Sequence, residues 1–114
     1  SNMRRNDLFC LKHMRDAARQ ALVFATGRTR EDLASDQMLV FSIVKAVEIV
    51  GEAAFHISDA TREANPAIPW ADIVAMRHRL VHAYFDINLD VLWMTVQQDI
   101  PSLVEELERI LPAE

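Results

Sequence analysis

A chain of 114 residues with 51% hydrophobic side chains is long enough for one domain with a real core, and 2 glycines and 4 prolines argue against a turn-rich β fold. The net charge of −5 disfavours a broad, non-specific grip on nucleic acid, so any such contact has to be local. The single cysteine, Cys10, excludes an intrachain disulfide, and Lys45, Glu48 and Glu52 interrupt the longest apolar run, which argues against a membrane span.

Ser1-Asn2 ahead of Met3 reads as a cloning scar, leaving residues 3–114 as a single domain. A free thiol and the lack of a leader-like segment predict a cytoplasmic protein. The first helix is predicted from Asp7, which can cap it, to Thr26, with Gly27 ending it in the left-handed conformation. Thr29 and Asp32 resemble a capping box, Asp standing in for the usual Glu, and a short turn there leads into a long second helix from Asp36 to Thr61. That helix is apolar almost all round, from Met38 through Ile57. Its polar residues Lys45, Glu48, Glu52, His56 and Asp59 form one narrow stripe. So wide an apolar arc is buried on more than one side, and in a small chain one of those sides suits a subunit interface.

Asn65-Pro66 and Pro69 break the helical pattern. A third helix is predicted from Trp70 to Tyr84. A fourth starts at Asn88 or Asp90, carries Leu92, Val96, Ile100, Leu103, Val104, Leu107 and Leu111 on one face, and should kink at Pro101. The sum is an all-α, up-and-down bundle of four to five helices.

The third helix holds the most informative residues. At about 100° per residue, Ile73, Val74, Met76, Leu80, Val81, Tyr84 and Phe85 fill one continuous arc, and Arg77 falls in its middle. A buried arginine needs a partner: a carboxylate inside the fold, a second subunit or an anionic ligand. It can also snorkel to the surface. Glu52 on the polar stripe is the candidate carboxylate. Arg77 and His82 are separated by about 140° on a straight helix, so they share a face only if the helix loosens, if the long arginine side chain reaches round, or if two copies meet at a two-fold axis. His78 and His82 do share a face. However, Arg79 stands where a metalloprotease helix carries its glutamate, and a cation there opposes metal binding. Asp86, four residues after His82, is placed to orient its imidazole. His13 and His56 read as ordinary surface or boundary residues, and no cysteine nucleophile is credible.

Arg77-x-x-x-x-His82-x-Tyr84 resembles the RxxxxHxY motif of HEPN-domain proteins. Ile49-Val50-Gly51-Glu52-Ala53, Ile68-Pro69-Trp70, the run from Met76 to Asp86, Trp93 and Pro101 narrow the resemblance to the HepT family. His78 departs from many relatives, where a small polar residue follows the arginine. The resemblance implies a compact helical bundle that dimerises with the motif near the two-fold. It also implies the toxin half of a prokaryotic toxin–antitoxin pair, an endoribonuclease that needs neither metal nor cofactor. Arg77 and His82 would be catalytic, with Glu52, His78 and Asp86 in support. Tyr84 would accept AMP from an MntA-like nucleotidyltransferase antitoxin. The alternative is a non-catalytic helical dimer that docks and regulates a nucleotidyltransferase.

Overall fold

A computed structural model describes residues 4–81 and 86–113. Among them lie α1 (Arg5–Ala25), α2 (Arg30–Ser35), α3 (Gln37–Phe55), α4 (Asp59–Ala64), α5 (Trp70–Leu80), α6 (Leu89–Met94), a π-helical segment (Thr95–Asp99) and α7 (Ile100–Ile110). Four rods make the bundle: α1, α3, α5, and the continuous rod from α6 to α7. The start of α1 meets the end of α3 through Asp7 and Ser58, and Arg19 of α1 meets Glu108 of α7 while Arg15, one turn earlier on α1, lines a groove with Leu111 just past α7, so both pairs of rods are antiparallel. Together with the α3–α5 register described below, these contacts give the expected all-α, up-and-down arrangement.

Local chemistry sets most boundaries. Gly27 has φ 72°, the left-handed conformation that closes α1. The Thr29 hydroxyl accepts from the Asp32 backbone N–H while the Asp32 carboxylate accepts from the Thr29 N–H, so the capping box forms with aspartate and starts α2. Asp36 and Asn88 each accept from a backbone N–H three residues on and start α3 and α6. The proline effect appears just ahead of Pro101, which has no N–H to donate. There the hydrogen-bond ladder slips, and the Ile100 N–H reaches back five residues to the Thr95 carbonyl.

Two expectations fail for one long-range reason. Asp7 does not cap α1: the N-cap is Arg4, without a side-chain hydrogen bond, and Asp7 is buried in the first turn. There it accepts from the Ser58 N–H at 3.0 Å, the Ser58 hydroxyl at 2.5 Å and the Thr61 hydroxyl at 2.5 Å. The predicted second helix is accordingly two. α3 stops at Phe55, and Ser58, held by Asp7, caps α4. The freed carbonyls at the end of α3 are taken by one guanidinium. Arg62 donates to Ala54, Phe55 and Ile57 at 2.8, 3.0 and 3.1 Å.

Burial opposes ionisation of Asp7, but the hydrogen bonds from Ser58 and Thr61 outweigh it, so its pKa sits below the ordinary value. A depressed carboxylate pKa gives stability that is complete above the unfolded value of about 3.9 and is lost as pH falls through the folded one. Asp7→Ala strands three donors and is expected to cost about 3 kcal/mol at neutral pH. Thermal melts at pH 7 and pH 3 check this: the gap in Tm between wild type and Asp7→Ala should narrow on acidification. A gap that is equally wide at both pH values contradicts the account.

Candidate functional site

Gly51 sets the geometry of the site. It lies on α3 where the α5 backbone passes; a Cβ there would stand 3.3 Å from the Ile73 carbonyl oxygen and 3.8 Å from that of Val74. This close approach fixes the register of the two rods. One turn earlier on α3 is Glu48, and one turn later on α5 is Arg77. The rods are therefore antiparallel, and Arg77 Nε meets Glu48 Oε1 at 3.5 Å.

The expected Arg77–Glu52 pair is thus corrected: the carboxylate partner is Glu48. Glu52 lies on the other side of the Gly51 contact, and it lines the same cavity without bridging to Arg77. Of the two positions the wheel leaves open for Arg77, the structure shows the one that reaches the surface. Its side chain is 54% exposed in the single chain. The buried face of α5 is Trp70, Ile73, Met76 and Leu80, while Val74 is only half-buried. The apolar arc read from the sequence borrowed residues from beyond the helix. α5 ends at Leu80, and extended Val81 pairs with Ile87 in an isolated antiparallel bridge. The 140° separation of Arg77 and His82 assumed a helix that continues, so it does not apply.

His82 and Tyr84 lie outside the described residues. Those described form a cavity of about 750 Å³ lined by Glu48, Gly51, Glu52, Phe55 and His56 from α3 and by Val74, Arg77 and His78 from α5. Three of the expected site residues, Arg77, His78 and Glu52, come together there. Asp86 is exposed and lines a separate groove with residues of α2 and the start of α3. Glu48, Phe55 and His56 were not expected in the site. Glu48 and Glu52 are four apart on one stripe, and only the Gly51 contact tells which one Arg77 meets. His56, expected as an ordinary surface or boundary residue, is the C-cap of α3 and lines the cavity.

A smaller cavity of about 140 Å³ lies on another face of α5, lined by Ile68, Met76, Leu103, Asp72, Arg79 and Asp99 among others. Among the described residues its lining holds no histidine and does not include the motif arginine. Cys10 is buried, and burial, followed by the charge of Asp7, pushes its thiol above the ordinary range. It is therefore a poor nucleophile at neutral pH. Among the described residues no helix is long and apolar enough to cross a membrane.

α3 also carries an unusual surface. Met38, Phe41, Ile49 and Phe55 are exposed large apolar side chains. They recur at helical spacing on the same stripe as Lys45, Glu48 and Glu52, so the stripe expected to be polar is mixed. The doubly apolar character read from the sequence is real: one side packs in the core and the other is uncovered in the single chain.

The comparisons agree on the family. A probable ribonuclease HepT of Thermococcus cleftensis is 41% identical over 80 residues, covering 70% of this chain and 73% of that protein. A provisionally named RNase of Caldanaerobacter subterraneus subsp. tengcongensis is 32% identical over 104 residues, or 91% of this chain and 93% of the relative. Another of Methanocaldococcus jannaschii is 31% identical over 93 residues, covering 82% and 85%. No solved structure matches the chain. The family described as "Ribonuclease HepT-like" matches residues 14–110, a span that includes the whole Arg77–Tyr84 motif and the α3 segment opposite it. With the four-rod bundle and the arginine placed by Gly51, this shows that the chain belongs to the HepT-like ribonuclease family.

Proposed function

We propose that this chain is a metal-independent endoribonuclease, the toxin of a toxin–antitoxin pair, working as a homodimer and silenced when a nucleotidyltransferase antitoxin adds AMP to Tyr84. The observation that carries the reading is the position of Arg77. It is half-exposed in the last turn of α5, it faces a cavity large enough for a nucleotide, and the chain leaves the helix before His82.

RNA cleavage without metal needs a base for the 2′-hydroxyl, an acid for the leaving 5′-oxygen, and a cation for the phosphorane. Histidine titrates near neutrality and serves as either acid or base. In this reading one His82 takes the 2′-hydroxyl proton and a second protonates the leaving 5′-oxygen. Arg77 swings from Glu48 to the phosphate and offers two parallel N–H donors. Exchanging the exposed Glu48 pair for phosphate costs little, because such pairs contribute only about 0–1 kcal/mol. Two copies meeting through Met38, Phe41 and Ile49 on α3, with Phe55 left in the cleft, would bring two arginines and two histidines together, and this uncovered apolar surface supports the dimer.

Incubation of the purified chain with RNA in excess EDTA tests this. The expected result is cleavage that leaves 2′,3′-cyclic or 3′-phosphate ends. Strict dependence on added Mg²⁺, or no cleavage at all, would instead favour a non-catalytic helical dimer that docks and regulates a nucleotidyltransferase.

A further inference from the structure

The cavity around Arg77 poses a charge problem for an RNA-cleaving protein. Its described lining holds one arginine against two carboxylates, Glu48 and Glu52, in a chain of net charge −5. Phosphate attraction alone makes a weak grip there. The same cavity carries an exposed aromatic ring. Phe55 is 63% exposed at the last residue of α3. His56 follows it with ring centroids 5.4 Å apart and planes at 80°. An edge-to-face neighbour braces the phenyl ring and leaves a face free.

The mount is rigid. Arg62 donates to the Phe55 carbonyl at 3.0 Å and to those of Ala54 and Ile57, so the ring stands on a tied helix end rather than on a loop. An aromatic face and a guanidinium in one cavity match the two parts of a nucleotide, its base and its phosphate.

We infer that Phe55 is a stacking platform for one unpaired base of the RNA, in the same groove as the phosphate that Arg77 holds and two helical turns along α3 from Glu48. The inference rests on the ribonuclease reading above and adds to it the way this acidic protein holds its substrate. Affinity comes from stacking more than from phosphate contacts. The base must be unstacked from its neighbours to reach the ring, so the strand is single at that point.

The test is fluorescence anisotropy with a short labelled 2′-O-methyl RNA, which lacks the attacking hydroxyl and stays uncut. Phe55→Leu keeps an apolar side chain at an exposed position and removes the π face. It is expected to weaken binding about 5- to 150-fold, whereas Phe55→Tyr binds as wild type does. A single abasic residue moved along the oligonucleotide should weaken wild-type binding most at one position, and that penalty should vanish in Phe55→Leu. The dependence of log K on log salt should be shallow, about −0.7 per phosphate held, and the same in Phe55→Leu as in wild type.

If the wild-type chain cleaves RNA and binds the oligonucleotide, but Phe55→Leu binds equally well, the inference alone is overturned. If the wild type neither binds nor cleaves, the ribonuclease reading and the inference fall together. A Phe55→Leu protein whose mass by light scattering is lower than that of wild type also overturns it, because the ring is then an interface residue.

Discussion

Arg77→Ala and His82→Ala should each reduce RNA cleavage by about 10²–10⁴-fold, the range that positioned acid–base and electrostatic groups typically supply. The two losses should not add, because a cation without a proton carrier and a proton carrier without a cation are both incomplete sites. The arginine variant is a clean probe of chemistry. Arg77 is half-exposed and its recorded ion pair is the one with Glu48, so truncation removes at most about 1 kcal/mol of stability. Circular dichroism and Tm should therefore match wild type while the rate collapses. Arg77→Lys keeps the charge but loses the planar fork, and should recover only part of the rate. Single-turnover cleavage of a labelled RNA in EDTA is the measurement. A folded Arg77→Ala protein that cuts at the wild-type rate would remove the arginine from the mechanism and leave the docking-module alternative standing.

Tyr84→Phe should leave an active ribonuclease that the proposed nucleotidyltransferase antitoxin cannot silence. The substitution removes the phenolic oxygen proposed as the AMP acceptor and keeps the ring. In the unmodified protein Tyr84 has no catalytic duty in this mechanism, so the rate of the variant should stay within a few-fold of wild type. Modification changes the electrostatics. Each AMP phosphodiester adds about one negative charge to a site whose described lining already holds Glu48 and Glu52 against Arg77. The added phosphate competes with RNA phosphate for that cation and adds bulk at the motif. Wild type incubated with the partner enzyme and ATP should lose activity and gain AMP mass on the peptide containing Tyr84. Tyr84→Phe should do neither. Neutralisation of Tyr84→Phe by modification, or an adduct on another residue, would show that the resemblance fails at this position.

Features that depend on a few neighbouring residues were legible from the sequence. The Thr29–Asp32 capping box, the left-handed Gly27, a start at Asn88 or Asp90 (the structure uses Asn88), the break at Asn65-Pro66 and the disturbance ahead of Pro101 are all local hydrogen-bond and steric effects. Periodicity likewise predicted the four rods and the surplus apolar surface of α3. The RxxxxHxY pattern predicted the family without any coordinates.

Tertiary structure decided what depends on residues far apart in the chain. The helix read as running from Asp36 to Thr61 is cut at His56. No glycine or proline marks the cut; it is made by Asp7, some 51 residues away, which holds the Ser58 N–H and hydroxyl. Glu48 and Glu52 are equivalent on a helical wheel. Gly51 lets the α5 backbone approach at one level only, and at that level Arg77 faces Glu48. The wheel put Arg77 in the middle of an apolar arc because it counted residues past Leu80, where α5 has already ended. Phe55 and His56 entered the candidate site for the same kind of reason: the antiparallel register of α3 on α5 brings the end of one rod beside the other. A wheel records the angle of a side chain around its own axis, whereas the partner it meets is set by how two rods slide past each other, and that sliding is fixed by packing between distant segments.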